Sequence, residues 1–205
     1  MRDRPVSEFS EDELREYLCE HVRYEIGMFA RSVGAIAGTS GESWPENVCV
    51  EVFTIHLRNL LDFFYPPKRQ YPTDVFAKHF FSSSERWKPP PKTELLRHSH
   101  IRAHKEVAHL TTGRKSSRTE KLWDVAAICT DLLPLIHLFA HEADIVCEGF
   151  EADVKKDTRQ VGLTPMESAS VLHQGYSGGR IRTCDLRVMS PTSYLAAPPR
   201  GVGPC

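Results

Sequence analysis

The segment His98–Arg114, HSHIRAHKEVAHLTTGR, is the one place in this 205-residue chain where local geometry alone gathers groups able to act on a phosphodiester. At about 100° per residue on a helix, His98, Arg102, Glu106 and His109 fall on one polar arc, beside an apolar arc of Leu96, Ala103, Val107 and Leu110. An arginine holds phosphate through its fork of N–H donors, an imidazole moves a proton near neutral pH, and a carboxylate orients that imidazole. The basic run Arg114, Lys115 and Arg118 follows at once and offers contacts to an RNA backbone near His109. The same stripe also reads as inter-helix ion pairs, and a basic loop between helices as a solvated connector.

The Arg102-to-His109 spacing, with six residues between, resembles the motif of HEPN domains, in which an arginine is followed by four to six residues and a histidine on a late helix. Ala103 stands where catalytic members often carry a polar residue such as asparagine. The resemblance implies a helical bundle acting as a homodimer, and metal-independent attack of a ribose 2′-hydroxyl on the adjacent phosphate. Arg102 would steady the phosphate and His109 would serve as general acid or base, with His98 and Glu106 in support. It further implies an endoribonuclease of defence or toxin–antitoxin type, with an antitoxin or other protein as partner. The alternative is a non-enzymatic helical interaction or dimerisation module, in which the same residues are buried in satisfied pairs.

Two histidine pairs at i and i+4, His100 with His104 and His137 with His141, have the spacing of a helical chelate. No acidic ligand is fixed by the same pattern, and His137-Leu-Phe-Ala-His141-Glu142 is not the order in which glutamate serves a zinc-bound water. No metal and no cofactor are therefore expected. Arg58, Asn59 and Asp62 lie on the preceding long helix, within reach of the polar arc.

The elements that must position these groups are helical. Ser10 and Glu13 form a capping-box pattern ahead of Leu14, Leu18, Val22, Phe29, Val33 and Ile36. A second helix is expected from Glu46 to about Phe64, ended by Pro66-Pro67. A proline-rich connector with a short helix near Thr73–Phe81 leads to a third helix, Thr93–Thr112. The fourth, from about Thr119 to Val146, keeps its apolar stripe in phase across Pro134, so the proline should kink it rather than end it. No strand pattern of useful length is present. The expected class is all-α, a four-helix up-and-down bundle over residues 1–150, then a linker or frayed helix over 151–177.

Net charge is −1 overall; the segment from Gly178 onward contributes +3, leaving −4 for the rest. That balance offers no global attraction for a polyanion, so an RNA site has to be a local patch. Cys19, Cys49, Cys129 and Cys147 are scattered, form no CxxC pair and are expected as reduced thiols. The most apolar stretch, Val125–Ala140, is broken by Thr130, Asp131, Pro134 and His137, and a cytoplasmic protein without membrane contact is expected.

Residues 178–201 resemble an antisense translation of a bacterial initiator tRNA gene. Back-translation of Arg180–Asp185 as CGG ATT CGA ACC TGC GAC gives, on the complementary strand, the T-arm sequence GGTTCGAATCC. Val188-Met189-Ser190 and Tyr194–Pro199 similarly match an anticodon and a D-arm with its 5′ stem. Residues 178–205 are accordingly expected to be a non-functional, disordered tail.

Overall fold

Ser10 opens the first helix as the sequence indicates. Its hydroxyl accepts from the Glu13 amide at 3.2 Å, and the Glu13 carboxylate accepts from the Ser10 amide at 2.8 Å. This reciprocal capping box satisfies two donors that a helix start leaves open. The computed structural model describes residues 4–38, 44–107, 122–159, 161 and 181–182. Helix α1, Glu11–Tyr17, runs through a π turn at Leu18–Val22 into α2, Arg23–Ala37. Helix α3 spans Trp44–Phe64 and α4 spans Glu94–Arg102, followed by a second π turn at Ala103–Val107. Helix α5 is Val125–Glu142 and α6 is Phe150–Arg159. The described chain is thus mostly helical and all-α in class.

The apolar stripes meet as their spacing requires. Ile26, Phe29, Val33 and Ile36 of α2 face Val50, Phe53, Leu57, Leu60 and Leu61 of α3, and Phe29 stacks on Phe53 at 5.4 Å. Phe139 of α5 forms the hub, with ring contacts to Phe63, Phe64, Phe80, Phe81, Trp87 and Phe150 at 5.2 to 6.3 Å. Pro134 lies within α5 on an exposed position, and the helix continues through it, because the buried residues Leu132, Leu133, Leu135 and Ile136 pack on either side. By length and composition α5 would suffice to cross a bilayer. Here its stripe from Ile128 to Ala140 is packed inside the fold.

Four details depart from expectation. Helix α5 begins at Val125, not near Thr119; Asp124 caps it by accepting from the Ala127 amide at 3.0 Å. Leu122–Trp123 is instead extended and pairs antiparallel with Ile181–Arg182, a two-residue pairing that no alternation in the sequence announces. The short helix expected near Thr73–Phe81 is a single 3-10 turn, Ala77–Phe80. Residues beyond 150, expected as linker or frayed helix, begin with α6, whose Phe150, Val154 and Thr158 recur every four positions and are buried. Gly149 precedes it at φ 77°, a conformation glycine adopts without a Cβ clash.

The cysteines divide into two classes. Cys19 is disulfide-bonded to Cys147 across 128 positions, which corrects the expectation of reduced thiols at those two positions. The segment that follows helix α5 comes back beside the first π turn, a proximity no spacing rule encodes. Cys129 is buried and unbridged, and burial pushes its thiol up to about 12. Closing so long a loop is worth about 2–4 kcal/mol. Cys147→Ser should therefore unfold at lower denaturant concentration than the oxidised wild type by that amount, and by nothing measurable once both are reduced. Equal stabilities without reductant would contradict the bond.

Two carboxylates held low by their partners are expected to make the fold acid-sensitive. The Ser10 amide and then Arg4 hold Glu13 down to about 2, from an ordinary value of 4.5. The Ser82 amide and then Arg86 likewise lower Asp144. A carboxyl depressed by folding stabilises above its unfolded value and ceases to do so as pH falls through its folded value. The melting temperature should accordingly drop between about pH 4.5 and 2, less steeply in Glu13→Gln. An unchanged acid slope in that variant would assign the loss elsewhere.

Candidate functional site

Arg102 is the last residue of α4, half-buried, with its guanidinium 4.2 Å from the centre of the Trp123 ring. The ring is fixed in turn by burial and by edge contact with Phe53 at 6.2 Å. His98 lies one turn earlier, exposed, and its Nε2 is 3.1 Å from Glu94 Oε1. The backbone of Glu106 lies in the π turn; His109, Arg114, Lys115 and Arg118 lie outside the described residues. The π turn also alters the geometry on which the polar arc rests. Its i→i+5 bonding widens the turn, so Ala103–Val107 do not follow a 3.6-residue period.

On the flank of α4 that faces α3, the structure gathers a second set of groups. Asp62 of α3 places Oδ1 3.0 Å from His100 Nε2 and Oδ2 3.7 Å from His104 Nε2. The two imidazoles lie 5.1 Å apart, centre to centre. Lys92 reaches the other edge of His100, with Nζ 2.8 Å from Nδ1, and rests 4.9 Å above the Tyr65 ring. The Pro89–Pro91 run sets that position, since the Tyr65 hydroxyl donates to the Pro90 carbonyl at 2.9 Å. Burial alone would raise the Asp62 carboxyl, but the adjoining His100 and the charges of His104 and Arg58 outweigh it and hold the group below its ordinary value. Burial lowers the Lys92 amine, against the pull of Asp62.

The reach of Asp62 to the third long helix was legible in the sequence, but its partners are His100 and His104 rather than the arc of His98 and Arg102. His137 and His141 do not join them: His137 Nε2 lies 2.9 Å from the Thr158 hydroxyl and His141 Nδ1 lies 3.5 Å from Glu151.

A separate cavity of about 290 Å³ opens between α1, α2 and α3, lined among others by Tyr17, His21, Glu25, Asn59 and Phe63. Its carboxylate is already engaged: Glu25 Oε2 lies 2.6 Å from His56 Nδ1 and accepts from Asn59 Nδ2 at 3.1 Å. Burial, and then the charge of Glu25, raises the Tyr17 phenol. The available signal was His56 on an otherwise apolar stripe, since a buried imidazole calls for a polar partner. Glu25 carries no equivalent mark.

Comparison with known proteins finds no family model, no curated protein and no solved structure that matches this chain.

Proposed function

We propose that the chain is a HEPN-like protein that cleaves RNA without a metal ion, on a four-helix up-and-down bundle that works as a homodimer. The observation that carries this reading is the seat of Arg102. Its guanidinium lies against the Trp123 face at a point where α4 gives way to a π turn. Turns of this kind recur at functional sites. Arg102 holds the scissile phosphate, and His109 takes the proton of the ribose 2′-hydroxyl or supplies one to the departing 5′-oxygen. The bond formed is 2′-O to phosphorus and the bond broken is phosphorus to 5′-O, leaving a 2′,3′-cyclic phosphate and a 5′-hydroxyl. Arg114, Lys115 and Arg118 contact the RNA backbone, His98 and Glu106 support the site, and an antitoxin-type protein covers it. The cytoplasm is the proposed compartment, where Cys19 and Cys147 would be kept reduced until oxidation joined them.

A second reading, a non-enzymatic interaction or dimerisation module, is favoured by the same arginine–tryptophan contact, which ties α4 to the strand before α5. Incubation of the folded homodimer with RNA in EDTA separates the two. Cleavage is expected on the first reading and intact RNA on the second.

A further inference from the structure

We infer that Asp62, His100 and His104 form a binding site for one first-row divalent cation of the zinc class, clamping α3 to α4. The inference is independent of the RNA reading. Two imidazole nitrogens and a carboxylate oxygen are the donor set such ions take in three-ligand sites, with a further position left for water. The three donors come from neighbouring stretches of backbone: Asp62 from α3, His100 from α4, and His104 from the π turn that continues α4. Their ligand atoms all lie within 4.8 Å of one another. Donors at zinc distances in a tetrahedral arrangement stand about 3.3 Å apart. Each histidine meets its own oxygen of the carboxylate, His100 at 3.0 Å from Oδ1 and His104 at 3.7 Å from Oδ2, on either side of that value. His104, with 44% of its side chain exposed, has room to close the remaining gap and leaves the fourth position open to solvent.

The bonding around His100 points the same way. Its Nε2 is buried 3.0 Å from Asp62 Oδ1, and among the described residues no well-formed hydrogen bond satisfies it. A buried ring nitrogen without a hydrogen bond costs stability, and coordination would satisfy it. Among the described residues, Lys92 is a neighbour that must yield. An imidazole that ligates through Nε2 carries its proton on Nδ1, where the Lys92 ammonium now sits at 2.8 Å. Its flexible stem lets the amine turn away from the ring.

The test is calorimetric titration of the full chain with Zn²⁺, repeated with Co²⁺ for its visible spectrum. The expected result is one ion per chain, a cobalt spectrum without a thiolate band, and a higher melting temperature that EDTA reverses. Asp62→Asn and His104→Ala should each weaken binding at least about 10-fold while keeping the helical circular dichroism, whereas His141→Ala should not. Lys92→Gln, which offers Nδ1–H an amide acceptor and removes a positive charge, should tighten it. No saturable binding by the folded wild type, or binding that survives both ligand substitutions, would overturn the assignment.

Discussion

Replacing His109 with alanine is expected to lower RNA cleavage in EDTA by a factor of about 10²–10⁴, the usual contribution of a positioned proton carrier. Arg102→Ala should fall at least as far, because the phosphate then loses its charge-assisted donors and the Trp123 ring loses the cation above it. Arg102→Lys should not restore activity, since an ammonium supplies a point charge where a planar fork is required. Both effects should appear with unchanged melting of the helices for His109→Ala. Arg102→Ala should also lose a little stability, about 1 kcal/mol for a partly buried cation–π contact. Full activity in His109→Ala would remove that residue from the mechanism. Loss of stability in Arg102→Ala without any activity to lose would favour the interaction module.

Phe139→Ala is expected to destabilise the fold by about 3–5 kcal/mol, the cost of emptying a core site that cannot collapse. Phe139 is fully buried and touches six aromatic rings drawn from α3, the 3-10 turn, the connector and α6, so no single neighbour can move in to fill the space. The melting temperature should fall on the order of 10 °C. Phe139→Leu should recover much of this, because it restores volume but not the edge-to-face contacts. A loss below about 1 kcal/mol for the alanine variant would mean that the hub is not packed at core density.

The core of this fold follows from features that a sequence displays openly. The Ser10–Glu13 box and the stripes of α2, α3 and α5 depend only on residue type and spacing, and each forms as that spacing demands. Pro134 falls in an exposed position of its stripe, which explains why α5 accommodates it. What escaped depends on long-range placement. The Cys19–Cys147 bond, the Trp123 face beneath Arg102, and the pairing of Leu122–Trp123 with Ile181–Arg182 each join positions that no local period relates. Helix α6 was obscured for a different reason: its three buried residues are spaced correctly, but six of the remaining seven are charged. The two π turns were invisible because each lies in a run that also reads as regular helix. At the site, the histidine pair and the reach of Asp62 were each legible alone. Their convergence required the packing of α4 on α3.

The most direct measurement is the chemistry of the RNA ends produced by the full-length chain in EDTA. The account predicts 2′,3′-cyclic phosphate and 5′-hydroxyl ends, with no cleavage of a 2′-O-methylated strand, because the attacking oxygen is the ribose 2′-hydroxyl. Ends bearing a 5′-phosphate, cleavage that requires a divalent ion, or intact RNA after incubation with folded protein would contradict it.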